Sequence, residues 1–227
     1  MLNQPTLILI GNTRWHIAKK GEDKWSFSHL LPNENILSQL KGEIFWAAVG
    51  PVAESINLNK QCEIKVKDVP LINLPSWVGI DRALAGWEAF RKREESEKGV
   101  LVIDAGTIMS ITKVSKNGEF MGGQLLGGLK LQMKSMHYGA KNLPLPEIKT
   151  DNLPQFPIDT SEAMYRGGLQ ALTGTIVEAL ESTQLPLWIC GGDAPEILKE
   201  LKLKHVKINH SPNLALEGMI HLYGRLN

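Results

Sequence analysis

One stretch constrains the fold more than any other: residues 100–114, VLVIDAGTIMSITKV. A dense apolar run leads into Asp104-Ala105-Gly106-Thr107, and apolar residues alternating with small polar ones follow. This pattern predicts a strand, a tight turn that carries an acid, and a second strand. Gly106 gives the turn backbone freedom, so main-chain N–H groups can approach a phosphate closely. The same short string also fits an ordinary hairpin in which Asp104 and Gly106 only form the turn.

A second unit of the same kind lies near the N-terminus. Residues 7–19 read LILIGNTRWHIAK, which is an apolar strand, then Gly11-Asn12-Thr13, then a second strand-like segment. The two turn glycines, Gly11 and Gly106, are 95 positions apart, a spacing too long for a solenoid repeat and suited to two similar half-domains. Two phosphate-cradling hairpins across a cleft is the layout of actin, hexokinase and the heat-shock chaperone ATPases. The sequence therefore predicts a duplicated, actin-like α/β fold of two ribonuclease H-like halves, with the active site in the inter-domain cleft.

The boundary between the halves is predicted at a charge run. Residues 91–99 read RKREESEKG and end a helix predicted from about Asp81 to Glu95. Few contacts are expected to cross such a solvated segment. The predicted halves are residues 1–97 and 98–227.

Composition limits the classes of partner. Hydrophobic residues make up 43% and charged residues 22% of the 227-residue chain, as in an ordinary globular protein with a core. A formal net charge of +1 gives no reason to expect nucleic acid or an anionic membrane as a partner. Cys62 and Cys190 show no metal-ligand spacing, and the N-terminal apolar run is too short for a signal or a membrane span. We therefore expect a cytoplasmic protein with reduced thiols.

Further elements follow from periodicity and from helix-capping residues. Strands are predicted at 43–49, 62–69, 186–190 and 205–208, a loop at 145–158, and helices at 53–58, from 129, from 159, at 196–203 and at 215–226. The apolar face from Leu169 to Leu180 is interpreted as a surface for pairing with a second copy.

The position of Asp81 predicts a structural role. It lies in Gly79-Ile80-Asp81-Arg82, at the first turn of the predicted helix. There a carboxylate complements the helix dipole, which is a purely structural role.

Seven short motifs occur in one order, and together they resemble the type III pantothenate kinases. They are GNTR (11–14), AVGP (48–51), GIDR (79–82), DAGT (104–107), GGQLLGG (122–128), DTSEAMYRGG (159–168) and GGDA (191–194). The resemblance covers the whole chain. It implies an actin-like, cytoplasmic homodimer that uses ATP to phosphorylate pantothenate in coenzyme A synthesis.

The resemblance also implies roles for individual residues. The ATP-binding residues would be Gly11, Asn12, Thr13, Arg14 and Thr107, and the pantothenate-binding residues would be Gly79, Ile80, Asp81, Arg82 and Thr160. Asp81 would be the proton acceptor. Asp104 would bind a monovalent cation, potassium or ammonium, and Mg²⁺ would accompany ATP.

The chain departs from the family pattern at several positions. Leu9 stands where the first loop normally has an acid that helps to hold magnesium and phosphate. Residues 108–112, Gly127 and Ile72 also differ from the usual residues. Two alternatives therefore stay open on the sequence alone: a non-catalytic, nucleotide-binding regulator of the same fold, and a different sugar or acid kinase of this architecture.

Overall fold

The structure is a computed structural model, which describes residues 4–40, 42–53, 55–145, 153–201 and 207–226. It contains two compact units. Unit 1 comprises Met1–Val100, Lys113–Gly122 and Asn213–Asn227, and unit 2 comprises Leu101–Thr112 and Gly123–Pro212. The boundary at residue 97 between two ribonuclease H-like halves stays a prediction. No helix within the described ranges is both long and apolar enough to cross a membrane.

Strands and helices alternate along the chain. The strands are β1 (Thr6–Ile10), β2 (Trp15–Lys20), β3 (Trp25–Leu30), β4 (Ile44–Ala48), β5 (Gly99–Ala105), β6 (Ile108–Ser115), β7 (Phe120–Gly127), β8 (Leu187–Cys190) and β9 (Ile208–His210). The helices are α1 (Glu34–Gln39), α2 (Ile80–Lys92), α3 (Leu129–Gly139), α4 (Thr160–Thr183), α5 (Ala194–Glu200) and α6 (Leu214–Leu226). Both hairpins, the 43–49 strand and the helix from Asp81 are confirmed.

The sheet of unit 1 has four strands in the order β3-β2-β1-β4. β1 pairs antiparallel with β2 and parallel with β4, and every residue of β1 is buried. The unbroken apolar run of β1 therefore fits a central strand covered on both faces. Ile8, Ile17 and Trp46 form the core on this sheet.

Helices α2 and α6 pack against each other in unit 1. Their contact contains the fully buried carboxylate of Glu88, which accepts from Arg91 at 2.9 Å and bonds to His221 Nδ1 at 2.7 Å. Lys92 Nζ lies 3.5 Å from the other carboxylate oxygen. A buried carboxylate needs such partners, because an uncompensated charge is strongly destabilising there. This cluster fixes α2, the helix that carries Asp81.

The second sheet has five strands in the order β7-β6-β5-β8-β9, with β8 parallel to both β5 and β9. In unit 2, α4 packs its apolar face into a core that includes Ile103 and Ile189. Leu169, Leu172 and Leu180 are all buried in that core. The interpretation of this face as a pairing surface is therefore wrong, because unit 2 already covers it.

The predicted strand at 62–69 is also wrong. Two short 3-10 turns, Lys60–Cys62 and Val66–Asp68, occupy this stretch. The Asn59 side chain accepts from Gln61 N–H at 3.0 Å, and Lys65 N–H donates to the Asp68 carboxylate at 2.8 Å. Such local side-chain bonds compete with a strand ladder and curl the backbone.

Other boundaries differ in smaller ways. The described residues of 53–58 contain no helix, and the helix predicted at 196–203 runs from Ala194 to Glu200. The last strand begins at Ile208, and its predicted start at 205 lies outside the described residues, as does half of the predicted loop at 145–158. Strands β3 and β7 and helix α1 were not predicted.

Candidate active site

The first hairpin turn, Gly11–Arg14, follows directly from buried β1. Gly11 N–H donates to Arg14 C=O at 3.0 Å, which closes the turn, and the residues after Gly11 are exposed. β4 runs parallel to β1 and ends beside this turn, so that a Cβ on Gly50 would lie 3.7 Å from Asn12 Oδ1. The GNTR and AVGP motifs therefore meet at one edge of the unit 1 sheet.

Asp81 lies in the first turn of α2, and Gly79 is the helix N-cap. Asp81 Oδ1 accepts from the Arg82 N–H at 2.8 Å. Burial raises the pKa of the Asp81 carboxyl, while hydrogen bonds from the backbone and the charge of Arg82 act in the opposite direction. A Cβ on Gly79 would lie only 2.5 Å from Asp81 Oδ1, so glycine is needed for this carboxylate position.

Arg82 has an aromatic neighbour that sequence reasoning missed. Its guanidinium carbon lies 5.9 Å from the centroid of the Phe120 ring, within the range of a cation–π contact. Phe120 reaches this place because its N–H donates to Ile72 C=O at 2.9 Å, which joins β7 to the segment before α2. No local pattern signals this contact, since it depends on a pairing between distant segments.

The second hairpin turn carries Asp104 and Thr107. Asp104 is partly buried within β5, in register with Cys190 of β8, and Thr107 is exposed in the turn. Gly128 N–H donates to Thr107 C=O at 2.8 Å, and Asp193 N–H donates to Ala105 C=O at 2.9 Å. The DAGT, GGQLLGG and GGDA motifs therefore meet at this turn.

Asp193 has a role that the sequence interpretation did not assign. Its carboxylate accepts from Leu129 N–H at 3.3 Å, at the start of α3. Burial raises the pKa of Asp193, and the bond from Leu129 and the charge of Lys130 oppose that shift. Asp193 thus links the Gly191-Gly192 turn to α3, and an acid directly after two glycines was the available signal.

Thr160 is the first residue of α4 and is exposed. Asp159 caps this helix by accepting from Glu162 N–H at 3.0 Å, which confirms the predicted helix start. Unit 1 thus contains Gly11–Arg14 and Gly79–Arg82, whereas Asp104, Thr107 and Thr160 belong to unit 2. The prediction that both sets line one cleft stays a prediction.

No group of three or more histidine, cysteine or acidic side chains is placed to hold a metal ion within the described ranges. Asp104 supplies a carboxylate at the second hairpin turn. Mg²⁺ is commonly held by one or two carboxylates together with substrate phosphates.

Comparison with known proteins decides the family. A family model described as type III pantothenate kinase matches residues 43–182, more than half of the chain. The chain belongs to the type III pantothenate kinase family. A Synechococcus elongatus type III pantothenate kinase is 32% identical over 239 residues, with 95% of each chain covered. A Synechocystis type III pantothenate kinase is 29% identical, covering 92% of this chain and 83% of that relative.

Solved structures place this type III pantothenate kinase family member in the actin-like fold. One solved structure is that of a Campylobacter jejuni protein described as a Baf family transcriptional activator. It has a TM-score of 0.71 at 21% identity, with 97% of this chain and 98% of that chain covered. A Listeria monocytogenes protein named for an N-acetylmannosamine kinase has a TM-score of 0.54 at 14% identity, covering 99% and 100%. At these identities the likeness concerns the fold, and it confirms the predicted fold class.

Proposed function

We propose that this family member catalyses the ATP-dependent phosphorylation of pantothenate to 4'-phosphopantothenate, the first step of coenzyme A biosynthesis. The observation that carries the proposal is the near-complete match to type III pantothenate kinases together with the retained Gly79-Ile80-Asp81-Arg82 motif. A regulator without catalysis is not favoured, because the named relatives are kinases over nearly the whole chain.

Asp81 is the proposed general base. The primary hydroxyl oxygen of pantothenate forms a bond to the terminal phosphorus of ATP, and the bond from that phosphorus to the ADP oxygen breaks. The hydroxyl proton passes to the Asp81 carboxylate. Burial supports this role because it raises the pKa of Asp81, and a base is more effective when its pKa lies nearer the working pH.

The phosphates of ATP are proposed to lie against the two hairpin turns. Phosphoryl transfer depends mainly on positioning and on charge neutralisation. The exposed residues 12–14 and the exposed Thr107 lie at these turns and are proposed to contact the phosphates. Arg82 neutralises either the pantothenate carboxylate or the transferred group, and its contact with the Phe120 ring supports a fixed guanidinium position.

Asp104 is the residue proposed to hold the monovalent cation, potassium or ammonium. Its carboxylate is partly buried, and its Oδ1 lies 3.8 Å from where a Cβ on Gly106 would be, so it faces the turn. A hard oxygen donor at the edge of a phosphate site fits both a monovalent cation and Mg²⁺ bridged through phosphate oxygens. When bound, the cations would neutralise the negative charge of the phosphates. Strand β5 would orient the Asp104 carboxylate towards the cations.

Thr160 is proposed to contact pantothenate, and the protein is proposed to act as a cytoplasmic homodimer. Two large apolar side chains just before Thr160, Phe156 and Ile158, are 87% and 103% exposed. Exposed apolar side chains of this size commonly mark interaction surfaces. They support pairing near the start of α4, and light scattering at micromolar protein should give the mass of a dimer.

The test of the proposed function is the substitution Asp81→Asn, with thermal melting and pantothenate phosphorylation both measured against wild type. Loss of a general base should lower turnover by roughly 10²–10⁴-fold. Asn keeps the size of Asp and an oxygen that can accept from the Arg82 N–H, so the melting temperature should hardly change. ATP binding should survive, because the hairpin turns are unchanged. Normal turnover together with a lowered melting temperature would return Asp81 to the purely structural role and remove the catalytic assignment.

A further inference from the structure

A row of side chains crosses the unit 1 sheet beside the first hairpin turn. Leu9 of β1 pairs in register with His16 of β2, and His16 pairs in register with His29 of β3. Residues directly opposite each other on antiparallel strands project from the same face. Leu9 is buried and apolar, so the strand that leads into the turn supplies no polar group on this face. The neighbouring strand supplies His16 instead.

A chain of hydrogen bonds sets the tautomer of His16. His29 Nε2–H donates to Asn213 Oδ1 at 2.9 Å, and in a neutral ring Nδ1 is then an acceptor. His16 Nδ1–H then donates to His29 Nδ1 at 2.7 Å. The lone pair of the His16 ring is therefore on Nε2. The bonds at His16 Nδ1 and at His29 Nε2 fix this tautomer.

The imidazole of His16 is neutral at physiological pH. Burial, followed by the nearby His29 and the positive charge of Arg14, lowers the pKa of His16 to about 4. In this neutral ring, Nε2 can accept a hydrogen bond but cannot donate one. Within the residues that the structure describes, Nε2 has no protein hydrogen-bond partner.

Nε2 of His16 lies at the base of the first hairpin turn. A Cβ on Gly11 would be 3.6 Å from it, and the Gly11 N–H is already used by Arg14 C=O. The acceptor therefore faces the same turn at which we propose the phosphates of ATP. A phosphate oxygen is itself only an acceptor, so direct contact with Nε2 would be unfavourable. The partner must donate, as a water bound to a cation does.

We propose that His16 Nε2 accepts a hydrogen bond from a water of the hydrated divalent cation that accompanies ATP, which makes His16 the residue of unit 1 that positions this cation. This inference rests on the proposed function only in placing the nucleotide at the turn. Contact through water suits Mg²⁺, which keeps several waters, whereas imidazole nitrogen is a poorer direct ligand for it than oxygen.

The test compares two substitutions, each of which keeps a polar atom at only one of the two nitrogen positions of the imidazole. The side-chain oxygen of His16→Gln can occupy the place of Nε2, whereas that of His16→Asn can reach only the place of Nδ1. Mn²⁺ affinity in the presence of the non-hydrolysable analogue AMP-PNP is measured by electron paramagnetic resonance. His16→Asn should weaken Mn²⁺ binding about tenfold, the usual scale for removing an outer-shell partner, and His16→Gln should stay within about threefold of wild type.

Binding of AMP-PNP without metal is the accompanying control. If His16 only supports the turn, both variants will lose metal-free nucleotide affinity as well, and the proposal is overturned. Equal Mn²⁺ affinity in wild type and His16→Asn would also overturn it.

A measurement on the unaltered protein removes the dependence on how the variants fold. With ¹⁵N-labelled histidine and AMP-PNP, Mn²⁺ should broaden the His16 imidazole signals far more than those of His221, which bonds to Glu88 where α2 packs against α6. Equal broadening of the two histidines would contradict the proposal. Selective broadening in a protein that does not phosphorylate pantothenate would overturn the proposed function and leave this inference standing.

Discussion

The two hairpins of this protein have the same layout but different surroundings. In each, the first strand runs parallel to a later strand that ends in a glycine-containing turn: β1 with β4 and Gly50, and β5 with β8 and Gly191. Two positions before the turn glycine, however, the first hairpin has buried Leu9 and the second has Asp104. The second hairpin thus carries a carboxylate on its first strand, and the first hairpin has an apolar side chain at the equivalent position.

The packing of the two turns differs as well. A Cβ on Gly191 would lie 2.5–2.6 Å from the backbone of Ala105, whereas a Cβ on Gly50 would meet only Asn12 Oδ1, at 3.7 Å. The second turn is therefore held by tight backbone contact with a neighbouring turn, and the first is closed by the bond from Gly11 N–H to Arg14 C=O.

The largest expected effect comes from removing the charge of the second hairpin. Asp104→Asn should lower turnover by roughly 10²–10³-fold, the scale of losing one electrostatic stabiliser, and should abolish the dependence on potassium or ammonium. The measurement is steady-state phosphorylation of pantothenate in potassium and in sodium buffers. Asp23→Asn, in the exposed turn between β2 and β3, is the matched control and should behave like wild type. Equal rates of the wild type in the two buffers would show that the hairpins do not differ in this way.

A smaller effect, on the melting temperature, should distinguish the tightly packed turn at Gly191 from the open turn at Gly50. Gly191 has φ 92°, a conformation that costs an L-residue about 1–2 kcal/mol, and its Cβ would also meet Ala105. Gly191→Ala should therefore lower the melting temperature by about 2–8 °C from the backbone alone, and by more because of the contact with Ala105. A Cβ on Gly50 or Gly192 would have no neighbour closer than 3.7 Å. Gly50→Ala and Gly192→Ala should therefore change the melting temperature by less than about 2 °C. A Gly50→Ala variant as unstable as Gly191→Ala would remove the distinction between the turns.

The smallest expected effect is a pH dependence confined to the first hairpin. The folded pKa of His16, about 4, is below the ordinary value of about 6.5, so the unfolded chain binds more protons between these values. The stability that neutral His16 contributes is complete above about pH 6.5 and falls as the pH decreases towards 4. Between pH 6.5 and 5.5 the wild type should lose about 2–4 °C more in melting temperature than His16→Gln does. A larger loss in the variant would reverse the sign and contradict this account.

The sequence predicted the parts of the molecule that local patterns control. Apolar runs ending in glycine located both hairpins, and helical spacing after Gly79 located α2 with Asp81 in its first turn. Alternation failed at 62–69, because capping bonds from Asn59 and Asp68 produce turns whose buried residues also alternate. Local order alone cannot distinguish the two cases.

The site residues that were missed depend on contacts between distant segments. Asp193 reaches Leu129 across 64 positions, and Arg82 meets Phe120 only because Ile72 bonds to β7. The bonds of His16 likewise extend to Asn213, 184 positions beyond His29. None of these pairings has a periodic signal, so they require the register of the folded strands.

The central claim is that this chain transfers phosphate from ATP to pantothenate. The most direct measurement incubates the purified protein with ATP, Mg²⁺, potassium and pantothenate, and follows 4'-phosphopantothenate by mass spectrometry. The account predicts one phosphopantothenate for each ADP formed, with the product lost when pantothenate is omitted and reduced at least about 100-fold in Asp81→Asn. ADP release without phosphopantothenate, or product formation that Asp81→Asn leaves unchanged, would contradict it.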